Sequence, residues 1–226
     1  MTQNTSTAVM NRRIEAPDSL DLFPTPPWAV RAFCEHMGIK QSDNRFTAYD
    51  PCCGLGHMAE PLKEYFLHVY ASDIHDYGYG EVGDFLADPD NNLFPSWKPT
   101  HQINWVFMNP PFNKALEFVE MSRRLYPDAG LAVLIRTNWM ESIDRFDRLF
   151  SKRETRPHMI AVSVERIPMV KGKYDPKATT ATSYSWFVWT GDVPPLETKM
   201  TWIEPGARKR LAMPSDVLIG KDLIHA

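Results

Sequence analysis

"RFTAYDPCCGLGHMAEPLKEYF", Arg45 to Phe66, is the stretch on which the fold turns. An apolar segment with β-branched and aromatic residues, "RFTAYD" (45–50), runs into a turn holding two glycines and then into the helical pattern "HMAEPLKEYF" (57–66). In open α/β sheets, ligands sit beyond the carboxyl ends of the strands, and glycine lets the backbone approach them closely. Gly54 and Gly56 supply that approach. The third glycine of a dinucleotide fingerprint is absent, with Ala59 in its place, so a plain strand-to-helix turn fits this motif equally well.

Outward from this unit, further apolar runs read as strands: "HVYASD" (68–73), "INWVFM" (103–108), "LAVLIR" (131–136), "MIAVSVE" (159–165) and "YSWFVW" (184–189). They are nearly continuously apolar, as strands covered on both faces should be. Helical periods lie between them in "PPWAVRAFCEHMGI", with a Gly38 stop signal, in "NKALEFVEMSRRLY" and in "ESIDRFDRLFSK". The alternation predicts an α/β, doubly wound, mostly parallel sheet. A loop rather than a helix separates the last two strands, which predicts an antiparallel pair at one edge. That loop, Ile167 to Ser183, is long, basic and rich in Gly, Pro and Thr, the mark of a functional or disordered segment. Residues 1–20 read as a flexible arm, 21–190 as the main domain, and 191–226 as an irregular tail on the same domain.

The 226 residues suit one α/β domain. No apolar run approaches the roughly 20 residues that span a bilayer, and the polar start has no stretch long enough for a secretory signal. Three cysteines, with Cys52 and Cys53 adjacent, make neither a disulfide framework nor a zinc spacing; no metal is expected, and the compartment expected is the reducing cytoplasm. Net charge is −3, but Pro168 to Arg210 carries seven Lys/Arg against four acids, so it nets +3 and leaves −6 on the rest. A face that grips phosphates and a pair of solvated loops both fit that distribution.

Asp73 ends the second strand, 23 positions after Asp50, at the spacing of acids that accept ribose hydroxyls. Asp84, in "GDFL", follows where an adenine would lie. No basic residue stands in the glycine loop to bind phosphate. A nucleoside with an amino-acid tail fits these acids better than a dinucleotide.

The order "FPTPPWAV", "DPCCGLG", "ASD", "GDF", "NPPF", "SYSWFVW", from about Phe23 to Trp189, resembles class I S-adenosylmethionine-dependent methyltransferases. It is most similar to the DNA adenine-N6 methyltransferases, especially small phage- and prophage-associated forms. The resemblance implies a Rossmann-like methyltransferase fold with a seven-stranded sheet and an antiparallel edge strand. It implies S-adenosyl-L-methionine as cofactor, with Asp50 at its amino group, Asp73 at its ribose and Asp84 at its adenine edge. Thr25 and Pro26 would lie near the methionine end. Pro51, Cys52, Gly54, Gly56, Ile74, Phe85 and Asn109 would complete the cofactor site. DNA is the implied partner, in the cytoplasm of a bacterial or phage-infected cell, with no membrane involved.

"NPPF", Asn109-Pro110-Pro111-Phe112, is the most specific element. Proline cannot continue a strand ladder, so the strand must stop there. The exocyclic nitrogen of adenine is a poor nucleophile because its lone pair is delocalised into the ring. Two acceptors aimed at its hydrogens, the Asn109 side-chain carbonyl and the Pro110 backbone carbonyl, would favour a pyramidal nitrogen. The prolines Pro110 and Pro111 would preorganise the turn. Phe112 would offer a ring on which a flipped base stacks, worth about 1–3 kcal/mol. Lys171, Lys173 and Lys177 of the long loop would meet the nucleic acid.

Other readings stand beside this one. Asn-Pro-Pro-aromatic also occurs in methyltransferases for guanine N2 in ribosomal RNA and for protein glutamine. A non-catalytic cofactor or nucleic-acid binding module would have no need of Asn109, Phe112 and all three acids. Cys52 as a nucleophile for cytosine C5 is disfavoured, because it precedes the glycine loop rather than following the fourth strand.

Overall fold

The computed structural model of the protein describes residues 21–41, 45–87, 99–191 and 193–221; the arm expected over residues 1–20 lies outside them. The six apolar runs become β1 (Thr47–Asp50), β2 (His68–Asp73), β4 (Trp105–Met108), β5 (Gly130–Arg136), β6 (Met159–Ser163) and β7 (Tyr184–Trp189). Two more strands bring the sheet to eight: β3 (Glu81–Val82) and β8 (Lys199–Ile203), in the order β3-β2-β1-β4-β5-β7-β6-β8. β1 to β5 pair in parallel, β7 runs antiparallel to both β5 and β6, and β8 is parallel to β6. This is the expected doubly wound, Rossmann-like α/β class, with one strand more than the seven expected. The antiparallel β7 lies inside that end of the sheet rather than on its margin. Its six residues are all buried and need a neighbour on each side, whereas β8, with Met200 and Trp202 exposed, suits the margin.

Residues alternate across the sheet and feed two cores. Phe107, Leu134 and Trp186 face one side, where α1 (Pro27–His36) brings Phe33 onto Trp186 with ring centroids 4.3 Å apart. Val106, Val133 and Phe187 face the other, which α3 (Ala115–Leu125) covers with Leu116, Phe118 and Val119. Each such aliphatic or aromatic side chain contributes about 1.5–3 kcal/mol on full burial.

The second expected helix shrinks to one turn, α2 (Ala59–Leu62), since Pro61 lacks an amide donor and the chain tightens into i→i+3 bonds from Lys63 and Glu64. The fourth begins as α4 (Ile143–Arg145) and continues as a π-helical turn over Phe146–Phe150. The tail, expected to be irregular, carries β8, then α5 (Ala207–Leu211) and a 3₁₀ turn (Pro214–Leu218). Arg31 of α1, 4% exposed, holds it by bonding Asp216 at 2.9 Å, the Leu211 carbonyl at 2.9 Å, and Glu64 at 2.8 Å. Burial opposes the charge on Arg31, and its bonds to Asp216 and Glu64 outweigh that, so its pKa is raised. Among the described residues, no helix is long and apolar enough to cross a membrane.

Candidate active site

Strand order reverses between β1 and β4, and a crevice opens there at the carboxyl ends of the strands. It contains a cavity of about 380 Å³ bordered by Asp50, Asp73, Asp84 and Asn109. Asp50 ends β1 and is 1% exposed. Its Oδ1 accepts from the Cys52 amide at 3.3 Å, while its buried Oδ2 has no partner among the described residues. Burial, opposed by the Cys52 amide and reinforced by nearby Asp73, pushes its pKa up to about 8. Asp73 ends β2; its Oδ2 accepts from the Gly54 amide at 2.9 Å and its Oδ1 from His75 at 3.1 Å. Burial raises its pKa too. Each carboxylate oxygen has a second lone pair for a ligand. Asp84 is exposed, its Oδ1 accepting from the Leu86 amide at 2.9 Å, with Phe85 buried behind it against Phe118.

Burial with one oxygen unpartnered destabilises the charged form of Asp50, and linkage gives the sign. Asp50 holds its proton to about pH 8 when folded and releases it near pH 3.8 when unfolded. Its contribution is therefore complete below the unfolded value and is lost as pH rises through the folded one. Asp50→Asn should remove that loss, leaving the ligand-free variant more stable than the parent by about 1–3 kcal/mol at pH 8 and by less at pH 5. Urea unfolding at the two pH values measures this. An equal difference at both would contradict an unpaired buried carboxyl.

The turn between Asp50 and α2 depends on glycine. Gly54 has φ +49°, and a Cβ there would come within 2.6 Å of Leu22 Cδ1. Gly56 has φ +84° but stands outside the cavity wall, because the Tyr79 ring fills the place of its missing Cβ. Pro51, Cys52, Ile74, Phe85 and Thr25 border the cavity as expected residues of the site, while Pro26 does not: its carbonyl opens α1 by accepting from Ala29. Burial pushes the thiols of Cys52 and Cys53 well above the usual range, which disfavours the thiolate a nucleophile needs. Among the described residues, no group of three or more His, Cys, Asp or Glu could hold a metal ion.

At the Asn-Pro-Pro-Phe turn, β4 stops at Met108. Asn109 Nδ2 donates to the Phe23 carbonyl at 2.8 Å and to Thr25 Oγ1 at 3.1 Å. A carbonyl only accepts, so this pair of bonds sets which end of the amide is oxygen. Asn109 Oδ1 and the Pro110 carbonyl have no hydrogen-bond donor among the described residues. The Pro111 carbonyl, by contrast, accepts from Lys114 at 2.9 Å and leads into α3. Phe112 and Pro110 lie outside the cavity wall. The Phe112 amide donates to Asp21 Oδ2 at 3.0 Å, and its ring lies 5.8 Å from Phe23 and 6.3 Å from Tyr184. Arg136 sits over that ring, its Cζ 4.6 Å from the centroid. The sequence pattern had left this ring open for a base.

The loop from Ile167 to Ser183 folds onto the site. Met169 Sδ is 3.5 Å from Asn109 Nδ2, the Gly172 amide donates to the Leu22 carbonyl at 2.8 Å, and Tyr174 lies 5.7 Å from the ring of His57. Arg208 of α5 donates to the carbonyls of Pro176 and Ala178, tying the loop to the tail. Lys171, Lys173 and Lys177 belong to this loop and do not border the cavity. Sequence reasoning missed Asp21, Phe23 and His57. His57 stands out in sequence as the one polar side chain between "GLG" and "MAE"; it is buried, its Nδ1 lacks a partner among the described residues, and burial, partly opposed by Asp216, lowers its pKa to about 4.

No protein-family model matches the chain, and no curated protein matches it. Solved structures do resemble it. A protein of Lactococcus lactis proposed to be a hemolysin shares 10% identity over 81% of this chain and 95% of its own, with a TM-score of 0.50. A protein of Vibrio vulnificus proposed to be the modification subunit of a type I restriction enzyme shares 14% identity, over 88% of this chain and 51% of its own, at TM-score 0.47. The methyltransferase subunit of a type I restriction-modification system from Streptococcus thermophilus shares 13%, over 74% and 44%, at TM-score 0.48. The chain thus spans about half the length of these two subunits. At such identities a likeness concerns the fold alone, and the first match agrees with the Rossmann-like sheet described above.

Proposed function

We propose that the chain is an S-adenosylmethionine-dependent methyltransferase acting on the exocyclic N6 amino group of adenine in DNA, of the small phage- or prophage-associated kind and working in the cytoplasm. The cavity's donor set suits this cofactor. The buried, unpartnered Asp50 Oδ2 calls for a cation, which the ammonium of an amino-acid tail would supply. Asp73 and Asp84 would take the ribose hydroxyls and the adenine edge, and Gly54 allows close approach. Three acids and no basic residue in the glycine loop disfavour a phosphate-bearing ligand.

When bound, the cofactor supplies an electrophilic sulfonium methyl group. Asn109 Oδ1 and the Pro110 carbonyl accept the two N–H groups of the target and free its lone pair. That lone pair would then be free to take up the methyl group the cofactor supplies, and the surplus proton would leave to water. Phe112 supports the base. The observation that carries this reading is the pair of uncommitted acceptors on a turn whose amide NH₂ is already anchored. Radiolabelled methyl transfer to DNA, RNA and protein in parallel, followed by nucleoside analysis, is the test. Label is expected in N6-methyladenine of DNA. Label in RNA guanine or protein glutamine would reassign the acceptor, and label in none of the three would refute the reading.

The loop lysines would meet the phosphate backbone. Replacing Lys171, Lys173 and Lys177 by alanine should weaken DNA binding and flatten its salt dependence by roughly 0.9 in log–log slope per lost contact. Cofactor affinity should be unchanged. Parental DNA affinity and slope in the triple variant would make the loop a bystander.

A further inference from the structure

We propose that Arg136 is the second wall of the acceptor pocket, the target base entering between its guanidinium plane and the Phe112 ring; this rests on the nucleic-acid reading above. Arg136 is the exposed last residue of β5, at the same end of the sheet where neighbouring β4 delivers Asn109. No carboxylate pairs with it among the described residues. It pairs in register with the buried Tyr184, and its nearby charge opposes the burial that raises that hydroxyl's pKa. Phe23 and Tyr184 stand around the Phe112 ring, tilted by 35° and 36°, and neither stacks flat upon it. Among the described residues, the side chain set over a face of this ring is the exposed, rotatable one of Arg136.

A base stacked on both sides needs contact distances of about 3.5 Å to each, so Arg136 Cζ must withdraw from 4.6 Å to about 7 Å from the ring. That is a rotamer adjustment. The guanidinium suits the place because it is planar, weakly hydrated and stacks on π-faces, whereas an ammonium does not stack. Before substrate arrives, the cation–π contact covers part of the half-buried Phe112 ring.

The test is equilibrium binding of labelled single-stranded oligodeoxyadenylate, and of a matching abasic oligomer, to the full chain and to Arg136→Lys and Arg136→Ala, at several salt concentrations. Single strands present an unpaired base without requiring the target sequence. Arg136→Lys is expected to weaken oligodeoxyadenylate binding roughly tenfold, the scale of one base stack. Binding of the abasic oligomer and the salt slope should match the parent. In a Phe112→Ala background, Arg136→Lys should have little further effect. If Arg136→Lys binds like the parent while Arg136→Ala loses about 0.7 of slope on both oligomers, Arg136 is a phosphate contact and the inference falls. It falls equally if both variants match the parent throughout. A parent that binds neither oligomer overturns the nucleic-acid reading and this inference with it. The side chain is exposed, and unchanged thermal unfolding of the variants verifies the fold.

Discussion

Asn109→Ala is expected to keep cofactor affinity and to lose turnover about 10²–10³-fold, as when one preorganised polar group is removed from a developing charge. The side chain performs two separable jobs. Its Nδ2 ties β4 to the Phe23 carbonyl and Thr25, and its Oδ1 is left to accept from the target. Alanine removes both. Asn109→Asp keeps an acceptor toward the substrate but sets a carboxylate oxygen 2.8 Å from the Phe23 carbonyl, where the amide had donated. That variant should also lose rate, with a local loosening that shows as faster amide exchange at Phe23 to Thr25. Single-turnover rates beside calorimetric cofactor binding separate the effects. If the alanine variant transferred methyl groups at the parent's rate, the two-acceptor account would be wrong.

The contrast between these two jobs shows what a linear pattern carries. The acids that end β1 and β2, and the prolines after β4, are local signals: an apolar run, then a residue that stops or turns it. Their positions were legible from spacing alone. The anchors of Asn109 lie 84 and 86 residues away, and Arg136 reaches Phe112 only because β5 lies beside β4. No local pattern encodes those contacts. β3 escaped because both its residues are exposed, so no apolar run marks it. β8 escaped for a related reason: its partner is β6, and its Met200 and Trp202 point outward, so its composition reads like that of a loop. Gly56 was legible as a glycine that must be glycine, but its neighbour is Tyr79 rather than the cavity.

Arg31→Ala should cost about 3–5 kcal/mol, the usual penalty for removing one partner of a buried ion pair. Arg31 spans 185 positions of sequence to reach Asp216, whose carboxylate is buried and, among the described residues, otherwise accepts only from the Met213 amide. Alanine would strand that charge and free the Leu211 carbonyl, so the part of the tail beyond β8 should detach before the sheet unfolds. The consequence reaches the active site. Gly220 lies so close behind the glycine loop that a Cβ on it would meet Leu55 Cβ at 2.8 Å and His57 at 3.4 Å. A detached tail would therefore hydrate His57, which is held neutral by burial, and cofactor affinity should fall together with stability. The double replacement Arg31→Met with Asp216→Leu tests the cause, because exchanging both partners for apolar groups of similar size leaves no stranded charge between them. It should recover much of the stability and the cofactor affinity that Arg31→Ala loses. If the double variant were no more stable than the single one, the loss would come from Arg31's packing and its bond to Glu64, and the tail would owe its place to something other than Asp216.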